Sequence, residues 1–215
     1  MKTPSAKAFT LVELLVVIFV VAVLVVLLLP SLAHVGGGPS KGSMCSNNLK
    51  QINIGLALFA IDNQNRFPMQ IPVVNGGTME FIYSGHSFPH FQKIYNGIGN
   101  LRCFICPYET NRQAAVSIEA LNDLNISYFL NADASTNDPS RTILAGDRFL
   151  QVNGQPVKPG LFVLTTNSNV GWISKYHVSG GYLTFADGHT QFSRIDNLDS
   201  FIQNQPLATN RLCIP

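Results

Sequence analysis

The sequence predicts an α+β protein: an N-terminal apolar helix, a second, amphipathic helix, and a mainly antiparallel β-sheet packed on that second helix. Three observations predict it. Leu14–Leu29 contains no polar side chain. Leu49, Ile52, Leu56, Phe59 and Ala60 recur at the three- and four-residue spacing of one helix face. Beyond Asn125, short β-branched and aromatic runs alternate with turn residues, the pattern of strands.

The first element is long. Phe9–Leu29 holds only Thr10 and Glu13 as polar residues. About 20 apolar residues at ~1.5 Å rise per residue span a ~30 Å hydrocarbon core, so the segment is long enough to cross a membrane. Lys2 and Lys7 precede it and Lys41 is the nearest cation after it. That bias predicts a cytoplasmic N-terminus with the remaining chain outside. A secretory signal has a shorter apolar core, roughly 7–15 residues, and a small-residue cleavage site, for which Ser31-Leu32-Ala33 would serve. Glu13 is the anomaly. A carboxylate in hydrocarbon costs on the order of 2.5 kcal/mol or more, so it needs either a partner or a place at the interface.

Next, "PSLAHVGGGPSKG" (Pro30–Gly42) carries three consecutive glycines and Pro39, which predict a break centred on Gly36–Lys41. The amphipathic helix follows, with Ser43 or Ser46 as its cap and Asn63–Pro68 as its end. Ile71–Asn100, rich in Gly, Pro and aromatic residues, reads as irregular chain with short strands. "AAVSIEALNDL" reads as a short helix or a loop. "ISYFLN", "RTILAGDRFL" and "GLFVLTT" read as strands.

"GYLTFADGHTQFSRI" places Asp187-Gly188 between two alternating runs, which predicts a β-hairpin with a type I′ turn. Tyr182, Thr184 and Ala186 would face one way, Leu183 and Phe185 the other. "DNLDSFIQNQ" reads as a short helix capped by Asp196 or Asn197.

Composition narrows the function. The 215 residues leave roughly 170 beyond the apolar segment, enough for one domain with its own core. A formal net charge of +2 with 12% charged residues offers no basic patch and argues against nucleic acid as a partner. Cys45, Cys103, Cys106 and Cys213 lie on the oxidising side in this orientation, so all four are disulfide candidates, and four cysteines allow three full pairings. Free thiols and a metal site are the alternatives. Cys103-Phe104-Ile105-Cys106 lacks the second ligand pair of a zinc ribbon, and Pro107 sits where a redox motif would continue into a helix.

Ala8-Phe9-Thr10-Leu11-Val12-Glu13 resembles the processing and methylation signal of type IV pilins and type II secretion pseudopilins. The resemblance implies that prepilin peptidase removes Met1–Ala8, that the new terminus Phe9 is N-methylated, and that Glu13 pairs with the terminal amine of a neighbouring subunit. Pro30 falls where such helices carry a proline kink. Ala8 stands where the family has Gly, and is the smallest substitute for it. A charge that is costly in one chain is tolerated in a stack that pairs it.

A second resemblance lies near the other end. His177, nine residues, then Asp187-Gly188 is similar to the C-terminal signature of a planctomycete-type pseudopilin-like group, in which a residue like His189 often follows. Cys45–Gln51, Tyr128, Asn131 and Gly146-Asp147-Arg148 resemble other positions of that group. The residues themselves leave three readings open for this region. Asp187 makes the turn and His177 is a hydrogen-bonded core residue; or the pair joins Asp147, Asn131 or carbonyls around a cation; or His177, His189, Asp147 and Asp187 form a hydrolytic site. Calcium prefers six to eight oxygen ligands, which would leave His177 outside its shell. No Gly-x-Ser-x-Gly, His-Glu-x-x-His or Walker loop is present.

The organisation expected is a leader (1–8), a transmembrane and assembly helix (9–35), a Gly/Pro break (36–42) and an extracytoplasmic domain (43–215). The function expected is assembly, not catalysis: a single-pass subunit of the cytoplasmic membrane that stacks with other pseudopilins into a short filament of a type II secretion-like system. The alternative is an anchored extracytoplasmic metal-binding protein or hydrolase using the His177/Asp187 region. No cofactor is expected unless a structural calcium is held, with Asp147 and Asp187 as the candidate ligands.

Overall fold

The computed structural model describes residues 10–33, 40–174 and 179–215, with the side chains of the first helix as far as Leu27. The chain divides into two units, Met1–Ser40 and Lys41–Pro215.

In the first unit, helix α1 spans Leu11–Ala33 and runs on past Pro30. Every side chain from Thr10 to Leu27 is exposed, around the whole circumference. Among the described residues no helix is long and apolar enough to cross a membrane. Side chains are described only as far as Leu27, seventeen residues and about 26 Å into the helix, so the expected transmembrane span rests on the sequence beyond them. The expected break over Gly36–Gly42 falls mostly on residues outside the described set.

The second unit opens with helix α2, Lys41–Asp62. It therefore starts ahead of Ser43 and Ser46, which lie inside it and not at its cap. Cys45, Leu49, Ile52, Leu56 and Ala60 form its buried stripe. Ile71–Asn100 differs from expectation, being helical where short strands were predicted. Turns of 3-10 helix at Pro68–Gln70 and Val73–Asn75 lead into α3 (Phe81–Ser84) and α4 (Phe88–Ile98). Pro89 sits in the first turn of α4, where its missing N–H costs nothing, and Gly99 ends the helix at φ 67°, a left-handed conformation that favours glycine. Residues that look like breakers are in fact this helix's punctuation. "AAVSIEALNDL" is loop, ending in a 3-10 turn at Asp123–Asn125.

Among the described residues nine strands follow: β1 Tyr128–Asn131, β2 Ile143–Asp147, β3 Leu150–Val152, β4 Gln155–Pro156, β5 Gly160–Thr165, β6 Val170–Trp172, β7 Gly180–Phe185, β8 Thr190–Arg194 and, after helix α5 (Leu198–Gln203), β9 Thr209–Ile214. Six form one sheet in the order β5-β9-β1-β2-β7-β8, and β4-β3-β6 form a smaller one. Every pairing is antiparallel.

The larger sheet separates two cores. Tyr128 and Leu130 point into the core shared with α2 and α4, while Phe129 points into the one shared with β6 and α5. The same alternation puts Cys213 on the α2 side and Leu212 and Ile214 opposite. A register shift between Ile143 and Ala145 lets Leu144 and Ala145 both face the α2 side. Opposite, Trp172 lies flat on Gly181, where a Cβ would come within 2.8 Å of its ring.

Candidate functional site

The start of α1 is a capping box. Thr10 accepts a hydrogen bond at Oγ1 from the Glu13 backbone N–H at 3.2 Å, and Glu13 Oε2 accepts from the Thr10 N–H and hydroxyl, each at 2.8 Å. Thr10-x-x-Glu13 is the sequence form of that device, so Glu13 has a local role in its own chain, legible from the spacing, besides any distant partner. The carboxylate is held at the amino end of the helix, where the dipole favours negative charge. Ala8 and Phe9 lie outside the described residues.

Two amides on α2 were also missed as functional positions. Asn48 Nδ2 donates to the Ile105 carbonyl at 2.9 Å and to Tyr128 Oη at 3.1 Å. Asn53 Nδ2 donates to Thr184 Oγ1 and to the Phe185 carbonyl, both at 2.8 Å. Their signal was legible: polar residues flanking a buried stripe must find partners.

Asn48 lies beside a group of buried titratable side chains. The thiols of Cys45, on α2, and Cys106, after the 3-10 turn Leu101–Phe104, face each other at 2.8 Å. Asp147 at the end of β2 completes the group, and the three ligand atoms lie within 4.8 Å of one another. All three residues are buried. The Tyr182 N–H donates to Asp147 Oδ2 at 2.7 Å. Burial nevertheless pushes the Asp147 carboxyl up to about 7, so it holds its proton below neutrality. The Cys106 thiol is held above its ordinary value by its contact with Cys45 and by burial. The donor types suit a metal, but the spacing does not. Two Zn–S bonds of about 2.3 Å to sulfurs 2.8 Å apart would close the S–Zn–S angle to roughly 75°, far from tetrahedral, and among the described residues three ligands converge, one fewer than a tetrahedral site needs.

The other cysteines stand apart from this pair and from each other. Cys103 Sγ donates to the Asn100 carbonyl at 2.8 Å, so the Cys-x-x-Cys stretch does not bring its two thiols together. Cys213 Sγ lies 3.8 Å from His90 Nε2, and His90 Nδ1 is 2.6 Å from Thr78 Oγ1. Burial lowers His90 to about 4 and raises Cys103 and Cys213 to about 12, so this histidine is neutral and these two cysteines are unreactive thiols.

The C-terminal motif is a hairpin of β7 and β8. Its turn is not type I′, which needs positive φ at both central residues. Only Gly188 is positive, at 92°, and it follows a tight turn closed by its own N–H on the Phe185 carbonyl at 3.0 Å. The loop is therefore the three-residue kind, with Gly as the bulge. Asp187 Oδ1 accepts from the His189 N–H and pairs with its ring, at the exposed tip. Asp147 is buried in the Cys45–Cys106 group, so the two candidate metal ligands do not belong to one cluster. Asn131 bonds the Ile143 carbonyl and Asn210 instead of joining Asp147. His177 lies outside the described residues.

Residues 4–29 match the family model of the prokaryotic N-terminal methylation motif, a type IV pilin-like signal. No curated protein and no solved structure matches the chain.

Proposed function

We propose that the chain is a membrane-anchored, pseudopilin-like subunit whose work is assembly, not catalysis. The observation that carries this reading is the methylation motif over residues 4–29, with Glu13 poised in the first turn of α1. Prepilin peptidase is the enzyme that reads such a signal; it cuts after Ala8 and leaves Phe9 as a methylated terminus. The apolar run reaches Leu29 in the sequence, and a helix apolar around its whole circumference belongs in lipid or among its own kind. The lysines at 2 and 7 keep the leader cytoplasmic and the domain beyond Lys41 outside. Stacked copies of α1 then build a short filament of a type II secretion-like system. No cofactor and no nucleic acid enter this function.

Intact-mass analysis of the mature chain tests it. A species beginning at Phe9 and heavier by one methyl group is expected. A chain beginning at His34 would overturn the reading in favour of a secreted protein.

A further inference from the structure

We infer that Cys45 and Cys106 are joined as a disulfide in the mature protein, while Cys103 and Cys213 remain thiols. The two sulfurs, 61 positions apart in sequence, stand 2.8 Å from one another, about 0.75 Å beyond an S–S bond of ~2.05 Å. A shift of that size is within side-chain reach. None of the other cysteines has such a neighbour: Cys103 is engaged with the Asn100 carbonyl and Cys213 lies against His90. Of the three full pairings four cysteines allow, none is made, and a single bridge closes.

The bridge rests on the extracytoplasmic placement proposed above, because a cytoplasmic domain would keep these thiols reduced. Both cysteines are fully buried, so oxidation happens while the domain is folding and the sulfurs are still reachable. The oxidant is a disulfide-bearing thiol oxidoreductase. One cysteine thiolate attacks its disulfide and releases one thiolate of the oxidant. The second cysteine then attacks the mixed disulfide and releases the other. The two cysteines lose two protons and two electrons, and the oxidant's disulfide is reduced to two thiols. Once α2 closes over the loop after Phe104, the bond is out of reach of reductant. It ties the first helix of the domain to the segment ahead of β1 and narrows the unfolded ensemble by closing a loop of about 60 residues.

The test is a non-reducing peptide map of full-length chain extracted from the membrane and alkylated in denaturant, beside the same chain denatured, reduced and refolded with oxidised glutathione. A Cys45–Cys106 crosslinked peptide, with Cys103 and Cys213 alkylated, is expected in both. It should persist in a Cys103→Ser/Cys213→Ser variant, which keeps the test valid if Cys45→Ser fails to fold. Reduction should lower the thermal midpoint by on the order of 10 °C. Four alkylated thiols in both samples overturns the inference, as does a Cys103–Cys106 peptide or one equivalent of zinc with no crosslink. A chain reduced in the membrane that closes Cys45–Cys106 on refolding overturns the bridge in the mature protein through its extracytoplasmic placement, not through the choice of partners.

Discussion

Asn53, on the helix that opens the domain, donates to both Thr184 Oγ1 and the Phe185 carbonyl on β7, each at 2.8 Å. The contact spans about 130 residues of chain and joins α2 to the C-terminal hairpin. Asn53→Ala leaves the Thr184 hydroxyl and the Phe185 carbonyl short of a donor in a buried setting. A loss of about 1–3 kcal/mol is expected in urea unfolding of the domain. A change below ~0.5 kcal/mol would mean that water replaces the amide and that the contact is incidental.

Glu13 has two roles that substitutions can separate. Glu13→Gln keeps an oxygen for the Thr10 N–H, so the capping box survives while the charge is lost. If Glu13 pairs with the terminal amine of a neighbour, Gln and Leu at this position weaken assembly alike, by roughly 3–5 kcal/mol, or two orders of magnitude or more. Cysteine crosslinking between neighbouring anchors reads this. Crosslinking of Glu13→Gln equal to the parent would leave Glu13 with its helix-capping role alone.

Two buried groups pull the pH profile in opposite directions. Asp147, raised to about 7, keeps its proton in the fold while the unfolded chain loses it near 4, so this group's stabilisation fades as pH rises from about 4 to 7. His90, lowered to about 4, refuses a proton that the unfolded chain takes near 6.5, so its stabilisation fades as pH falls over that range. Asp147→Asn removes the first slope and leaves the second. Its denaturation midpoint should climb from pH 4 to 6.5 more steeply than the parent's; parallel profiles would refute the assignment.

Glu109 holds two guanidinium groups, with Arg112 Nε at 3.0 Å and Arg148 in a bidentate contact, and its own side chain is fully buried. Glu109→Gln therefore leaves two partly buried cations facing each other. The expected cost is about 3–5 kcal/mol. Replacing Arg148 by Met in that background should recover part of it, and calorimetry showing no recovery would argue against charge repulsion as the cause.

Local patterns in the chain specify its local structure. Thr10-x-x-Glu13 and the apolar run mark the start and character of α1, the stripe from Leu49 to Ala60 marks α2, and strict alternation around Asp187-Gly188 marks the β7–β8 hairpin with its two faces assigned correctly. These signals survive because periodicity of 3.6 or 2 records which side of an element is buried. It does not record against what. Tertiary structure alone placed β9, the last strand, between β5 and β1, and capped α4 with the carboxylate of Asp123, which accepts from the Ser87 and Phe88 N–H groups from 36 and 35 positions away. Tertiary structure also turned the Pro- and Gly-rich stretch after Ile71 into helices, since Pro89 and Gly99 punctuate a helix whose apolar face is worth burying against α2. The same holds for the cysteines. Spacing in the chain singled out Cys103 with Cys106, but packing of α2 on the loop before β1 brought Cys45 to Cys106, because contacts across 61 residues are chosen by the shape of the whole core.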